Sequence, residues 1–218
     1  TNPYALQAWC LQVLANARSV DLGSTYKDGT VTVEFLRELA KLSVFQEGPK
    51  LAKEFLMQHG IALVVQRHLP KTYLDGAAMR TIEGVPVIGM TLRFDRIDNF
   101  WFCLLHELSH VGRHMTGNGD ELFVDDLSLR DRDHIDDDEK EAEADEWAQE
   151  ALIPSELWEE HLAQKQPTGK RVSSLAKQAG VHPAIVAGRV RHENHNFRLL
   201  SQFVGTDEVR KQFFEKVV

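Results

Sequence analysis

The sequence is poor in the features that mark secreted and membrane proteins. It has only two cysteines among 218 residues, Cys10 and Cys103, which do not look like a disulfide framework. No apolar run approaches the length that spans a bilayer. The sequence also does not open with the charged segment and following apolar segment of a signal peptide. Its length suits one domain, or one domain with a helical extension. We therefore expect a cytoplasmic protein without a membrane segment.

Positive charge is also in deficit, because 25 Lys and Arg stand against 33 Asp and Glu, for a net charge of −8. The deficit is concentrated between Asp120 and Glu150, where fifteen acidic residues face three basic ones. Such a run is more typical of a solvated loop and helix face than of an acidic docking surface. It argues against nucleic acid near this segment, and we expect no nucleic-acid partner for this chain alone.

The residues most typical of chemistry lie in one apolar stretch between Asp98 and Met115, which reads DNFWFCLLHELSHVGRHM. It contains His106, Glu107 and His110 in an H-E-x-x-H arrangement. Histidines four apart on a helix share one face, so both rings can bind one metal ion. The glutamate beside them can then take a proton from the attacking water. The apolar surroundings predict a buried helix whose histidines face a cleft.

An accidental pairing is the alternative, since a chain with ten histidines often places two of them four residues apart. In that case His106 and His110 would be core residues bonded to carbonyl groups. The intervening Glu107 and the position within an apolar helix favour a metal, because one ion satisfies both buried rings. We predict that this ion is zinc.

A catalytic zinc site usually has three protein ligands, so a further donor is required. The helix after the acidic segment offers Glu141 and Asp145, which are four apart and share a face. We predict Glu141 as the ligand and Asp145 as the residue that holds the free nitrogen of a zinc histidine. The competitor is Glu143, although it points about 200° around the helix from Glu141.

Another possible ligand is His114, which lies a further four residues along the helix of His106 and His110. A continuous helix would place His106 and His114 about 12 Å apart, too far to share one ion bound at about 2 Å. The metzincin pattern places Gly three and His six residues after the second histidine, whereas here Gly112 and His114 lie two and four after it. We predict that His114 supports a ligand or has a structural role.

Hydrophobic periodicity predicts an α+β fold that is mainly helical. Helices are predicted at Pro3–Arg18, Thr32–Val44, Lys50–His59, Glu139–Ile153 and Glu156–Gln164 with Ser155 as cap, on both sides of Gly180, and in the tail to Val218. Strands are predicted at Ile61–Gln66 and Val85–Leu92, and a turn at Leu74–Gly76. Pro86 predicts an edge position for the second strand, where an extended peptide could add itself by backbone hydrogen bonds.

The segment around Gly180 also has the spacing of a helix-turn-helix, with Ala176 and Val186 at matching positions. Arg189 and Arg191 would then lie on the helix that reads DNA. The modest positive charge of the segment favours tight packing between its helices instead.

Three stretches resemble the ImmA/IrrE-type zinc metallopeptidases, which are related in site logic to the gluzincins. They are LRFDRIDNFWFCLLHELSH, the pattern E-x-x-A-D-x-W-A followed by ALIP, and VHPAIVAGRVRHE. The resemblance covers roughly Gly60–Phe203 and implies a zincin-like domain with a small sheet packed beside the H-E-x-x-H helix. It also implies Glu107 as the catalytic base and Glu141 as the third ligand. The chain looks most like the branch of the family in which the peptidase domain follows an N-terminal helix-turn-helix of the Xre/HigA-antitoxin type. Removal of that helix-turn-helix would fit the start of the chain at Thr1.

The predicted organisation has three segments: an N-terminal helical extension at 1–49, a metallopeptidase core at 50–165 and a C-terminal helical subdomain at 166–218. Members of the family that the chain resembles are associated with cutting helix-turn-helix repressors under stress or with toxin-antitoxin loci. The resemblance therefore implies a zinc endopeptidase whose substrate is a repressor or an antitoxin. The alternative is a zinc-binding module with little or no proteolysis that binds DNA or a partner protein.

Peptidases of this kind often add a donor that stabilises the oxyanion of the transition state. The sequence does not single one out. Tyr73, His68 and His182 are the options, and an ordinary surface or core role is the alternative for each.

Overall fold

Ten helices and four short strands are found in the computed structural model, which describes residues 2–115, 123–126 and 135–214. The α-helices are α1 (Pro3–Ala17), α2 (Val33–Lys41), α3 (Gly48–Gln58), α4 (Ile97–Arg113), α5 (Ile135–Leu152), α6 (Ser155–Glu160), α7 (Leu162–Lys165), α8 (Gly169–Ala179), α9 (Pro183–Glu193) and α10 (Arg210–Phe213). The strands are β1 (Ala62–Val65), β2 (Leu74–Arg80), β3 (Pro86–Met90) and β4 (Phe123–Asp126), and short 3-10 helices lie at Leu42–Val44 and Ser201–Phe203. The predicted α+β class is confirmed.

The first helices begin at residues that can satisfy the free N–H groups of a helix end. The Asn2 side chain accepts hydrogen bonds from two N–H groups in the first turn of α1. The Thr32 hydroxyl accepts one from Phe35 in α2, and Pro49 stands in the first turn of α3. The three predicted N-terminal helices are confirmed, and their ends agree within two residues except that α2 ends at Lys41 and is followed by the 3-10 helix Leu42–Val44.

The four strands form one sheet in the order β1-β3-β2-β4. Strand β1 is parallel to β3, and β2 is antiparallel to both β3 and β4. The predicted edge position of the strand containing Pro86 is therefore wrong, because β3 is paired on both sides. Pro86 is tolerated there as the first residue of the strand, opposite Arg80. An extended peptide cannot pair with β3, and the outer strands of the described sheet are β1 and β4.

The turn predicted at Leu74–Gly76 is also wrong, because these residues open strand β2. The Asp75-Gly76 pair is typical of turns, and the strand has no β-branched residue. Pairing with β3 on one side and β4 on the other overrides that local preference. Leu74 to Met79 are all buried, as expected for a strand covered on both faces.

Helices cover both faces of the sheet. On one face, Trp9 and Val13 of α1 pack against Val64 and Met79, and a Cβ atom on Gly89 would lie 2.8 Å from the Trp9 ring. The opposite face supports α4, whose residues Phe100, Trp101, Leu104, Leu105 and Leu108 are fully buried. The sheet is thus the middle layer beneath the helix that carries the H-E-x-x-H motif.

One apolar cluster extends from Val31 to Val209 and includes residues of α2 to α5, α8 and α9. The chain divisions predicted at 49/50 and 165/166 stay predictions. No helix of the described ranges combines the length and the apolar character needed to cross a membrane.

The helices after α5 follow the sequence pattern with two corrections. Gly180 adopts a left-handed φ of 70° and ends α8, as expected for the residue between the two predicted helices. The predicted cap at Ser155 is wrong, because its backbone N–H and hydroxyl both donate to Glu150 and Pro154 takes the cap position. The predicted helix of 156–164 divides at His161 into α6 and α7.

Two further predictions concern segments at the margins of the described residues. The described tail is helical only at Ser201–Phe203 and α10, so a continuous C-terminal helix is wrong for residues up to 214. The acidic, turn-rich segment predicted at 117–138 falls largely outside the described residues.

Candidate metal centre

Helix α4 carries His106, Glu107 and His110 through the interior of the protein. Each of the three residues is only 1% exposed. Apolar residues occupy the remaining faces of the helix, so the polar side chains are confined to one stripe. Buried polar groups require partners, and the neighbouring helix α5 supplies them for the two histidines.

Helix α5 packs along α4 through small residues. Ala144 and Ala148 are fully buried, and they let the two helices approach closely. This approach places Glu141 and Asp145, which share a face of α5, against the histidines of α4. The structure thus brings together residues that lie about 35 positions apart in the chain.

The donor atoms of His106, His110 and Glu141 converge on one point. The Nε2 atoms of the two histidines are 3.1 Å apart. One Glu141 oxygen lies 3.2 Å from Nε2 of His106 and the other 3.3 Å from Nε2 of His110. Ligands held at about 2.0–2.1 Å around a tetrahedral ion are about 3.3 Å apart, so these separations fit a zinc ion. Among the described residues, these three form a cluster that could hold a metal ion.

Asp145 determines which nitrogen of His106 faces the cluster. Its Oδ1 atom lies 2.8 Å from Nδ1 of His106, so that nitrogen donates its proton to the carboxylate. When the ring loses its second proton, the lone pair is therefore on Nε2, which lies 3.2 Å from a Glu141 oxygen. A carboxylate behind a zinc histidine typically fixes the ring in this way and raises its basicity as a ligand.

His110 is supported through a chain of two residues. Its Nδ1 atom lies 2.9 Å from Nδ1 of His114, and Nε2 of His114 lies 3.0 Å from a Glu143 oxygen. Because a carboxylate accepts, His114 donates to Glu143 and accepts from His110. The lone pair of a neutral His110 is then on Nε2, which lies 3.3 Å from a Glu141 oxygen and can bind a cation there. Glu143 also pairs with Arg113 at 2.7 Å, which supports Glu141 rather than Glu143 as the ligand.

Electrostatics in the metal-free cluster place a proton on one histidine. Burial favours a neutral ring, yet hydrogen bonds to Asp145 and Glu141 raise the pKa of His106 to about 10. Burial lowers the pKa of His110, and the neighbouring charge of His106 lowers it further. Although burial opposes them, hydrogen bonds from both histidines hold the pKa of Glu141 well below its usual range. The metal-free site therefore contains one imidazolium, one neutral ring and one carboxylate.

Comparison with known protein families identifies the segment that contains this cluster. Residues 95–191 match the family model of the IrrE N-terminal-like domain, Peptidase_M78. This match supports the predicted ImmA/IrrE-type family for the segment that carries the cluster. No curated protein matches the chain. The match covers α4 to α9, so it includes the predicted ligands and the helices around Gly180. An N-terminal helix-turn-helix fused to this chain stays a prediction.

The three predicted options for an oxyanion donor have different surroundings. Tyr73 is 54% exposed and lines a surface depression with Tyr4 at the start of α1. His68 is exposed in the connection after β1. His182 caps α9, where its Nδ1 atom accepts from the Ala184 N–H at 3.0 Å. His182 thus has a local structural role, and the choice of donor stays a prediction.

The two arginines of the helix-turn-helix hypothesis are engaged inside the ImmA/IrrE-type domain. Arg189 donates to the Ile153 carbonyl and to Glu193, both at 3.0 Å. Arg191 is only 6% exposed and faces the buried Asp98. Side chains that read base edges must reach the groove of DNA. This arrangement supports helix packing over DNA reading for the segment.

Zinc binding to the metal-free chain is expected to release about one proton at pH 7. The pKa of His106, about 10, lies above that pH, so the ring is protonated and must lose its proton to bind zinc. His110 and Glu141 have lowered pKa values and contribute no proton. Zinc affinity should therefore rise about tenfold per pH unit from neutrality toward pH 10. Calorimetric titration in two buffers of different ionisation enthalpy counts the proton.

Asp145→Asn provides the matched control for this titration. The amide removes the charge that stabilises the His106 imidazolium, so fewer protons should be released at pH 7 and the dependence of affinity on pH should flatten. Proton release that is zero in the parent chain would contradict a protonated His106.

Proposed function

We propose that the chain is a zinc-dependent endopeptidase that cuts a regulatory protein, either a helix-turn-helix repressor or an antitoxin. The observation that carries the proposal is the convergence of His106, His110 and Glu141 beside the buried Glu107, within a segment that matches a peptidase family. Two imidazoles and one carboxylate are the ligand set of several zinc peptidases.

Zinc, when bound, supplies a Lewis acid that polarises the scissile carbonyl and makes water a competent nucleophile near neutral pH. Glu107 performs the proton transfers. Its carboxylate takes a proton from the attacking water as the C–O bond forms, and passes it to the leaving nitrogen as the C–N bond breaks. The balance is one water consumed and one carboxyl and one amine terminus formed.

The remaining polar residues keep the ligands in place. Asp145 holds His106, and the pair of His114 and Glu143 holds His110, so neither ring has to reorient when a cation arrives. The buried surroundings of Glu107 exclude bulk water, which strengthens the electrostatic interactions around the reacting bond.

The choice of substrate class rests on the family resemblance. Members of this family are associated with helix-turn-helix repressors and toxin-antitoxin loci, whereas the arginines of the chain's own helix-turn-helix-like segment are engaged internally. A chain that acts on a DNA-binding protein does not itself need to read DNA. We therefore propose a repressor or an antitoxin as the substrate of this chain.

The test is incubation of the zinc-loaded chain with repressors and antitoxins purified from the source cell, with products read by gel and mass spectrometry. Cleavage should stop with 1,10-phenanthroline, which binds zinc, and continue with its non-chelating 1,7 isomer. Added zinc should restore it. Stable complexes with uncut partners would instead favour the zinc-binding interaction module and contradict the peptidase.

A further inference from the structure

Strand β2 crosses helix α4 at Gly76, directly against Glu107. A Cβ atom built on Gly76 would lie 2.6 Å from Oε1 of Glu107, 2.9 Å from its Cγ and 3.1 Å from its Cδ. These separations are shorter than the 3.5–4.0 Å at which non-bonded carbon atoms attract. The volume that a side chain at position 76 would occupy is therefore filled by the glutamate itself.

The backbone conformation does not explain the glycine at this position. Five glycines of the described chain have a positive φ, and Gly76 is not one of them. Within a strand, an alanine fits the backbone more readily than glycine does. The reason for glycine at position 76 is therefore close approach of the strand to a neighbouring group, which is the other common use of glycine in strands.

Neither strand β2 nor helix α4 can readily shift to make room for a side chain at position 76. Gly76 pairs with Met90 on β3 and with Asp125 on β4, so a shift of β2 would break backbone hydrogen bonds on both sides. On the helix, Leu104 and Leu108 flank Glu107 and are fully buried in the close-packed core. The glutamate side chain is the part that must yield to an added methyl group.

We infer that Gly76 is a positioning residue for the hydrolysis: its missing side chain sets where the Glu107 carboxylate stands relative to the two histidines. This inference rests on the proposed function, in which Glu107 transfers the proton. The three atoms nearest to a Cβ atom on Gly76 all belong to the base and none to a metal ligand, so its role is separable from zinc binding.

The first measurement is made on the Gly76→Ala variant of the full chain. The crystal structure should show the Glu107 carboxylate displaced, with His106, His110 and Glu141 unmoved. Zinc affinity, measured by competition with a chromogenic chelator, should equal that of the parent. Cleavage of the repressor or antitoxin substrate should show kcat reduced by about 10²-fold, the size expected for misplacement of a catalytic group by about 1 Å, with little change in KM.

Removal of the Glu107 side chain separates contact with the base from a general effect on the sheet. Glu107→Ala lacks the Oε1, Cγ and Cδ atoms that lie nearest to a Cβ atom at position 76. Gly76→Ala should therefore lower the melting temperature of the parent chain but not that of the Glu107→Ala variant. Such non-additivity is expected of residues that are in contact or share a network.

Gly89→Ala is the matched control within the same sheet. Its Cβ atom would lie 2.8 Å from the Trp9 ring on the opposite face, a clash comparable to that at Gly76 but remote from Glu107. This variant should lose thermal stability and keep the parent kcat for its folded fraction.

An unmoved Glu107 carboxylate in the Gly76→Ala crystal would overturn the inference, as would additive losses in the double variant. Failure of the parent chain to cut any partner contradicts the proposed function alone. The displaced carboxylate and the recovered melting temperature of the double variant would still support the positioning role.

Discussion

Glu107→Gln should leave the zinc affinity of the chain unchanged and lower kcat by about 10²–10⁴-fold, the usual contribution of a general acid-base group. Glutamine has nearly the same shape and fits against Gly76, but its amide cannot take a proton from water. Since Glu107 is only 1% exposed, bulk solvent cannot readily replace it as the base. Metal content and cleavage of a repressor or antitoxin, measured on the same preparation, check both parts.

The matched control is Glu146→Gln, because Glu146 is an exposed residue of α5. It should change neither metal content nor cleavage. Equal cleavage by the Glu107→Gln variant and the parent would show that Glu107 does not transfer the proton, and the proposed mechanism would then lack a base.

Glu141→Ala should weaken zinc binding roughly 10²–10³-fold, with loss of cleavage at limiting zinc. The estimate divides the ~10–16 kcal/mol of a four-ligand zinc site among its ligands, or about 2.5–4 kcal/mol for each. Both oxygens of Glu141 lie within 3.3 Å of a ligand nitrogen, so alanine removes the cluster's only carboxylate within the described residues. Competition titration against a chelator of known affinity measures the loss.

Two further alanine variants on α5 make this result specific. Glu143→Ala should weaken zinc binding by about 10–100-fold at most, because Glu143 acts through His114 and touches no ligand directly. Glu146→Ala should have no effect. A larger loss at Glu143 than at Glu141 would reverse the assignment of the third ligand.

The convergence of the cluster could be predicted because it depends on local spacing. Residues four apart on a helix share a face whatever the fold. Helical periodicity alone therefore predicts that His106 and His110 share a face of α4. It likewise predicts that Glu141 and Asp145 share a face of α5. The packing of the two helices brought the pairs together. The support that Glu143 gives to His114 could not be predicted, because it depends on the angle at which α5 crosses α4.

The sheet was less predictable, for a physical reason that is visible at Asp75 and Gly76. A strand without β-branched residues has no local signal, and its stability comes from pairing partners distant in the chain. The Asp-Gly pair predicted a turn, whereas the structure uses the glycine for contact with Glu107. The edge position predicted from Pro86 was wrong for a similar reason, since the sequence of β3 does not reveal which strands pair with it.

The extended apolar core between Val31 and Val209 bears on how the cell could regulate this protein. Small zinc domains unfold without their ion, because the ion replaces a hydrophobic interior. Here the interior is complete and the ligands already hold one another by hydrogen bonds. On the proposed function, we expect the apoprotein to stay folded without zinc, so that zinc supply changes the activity of the protein and not its fold.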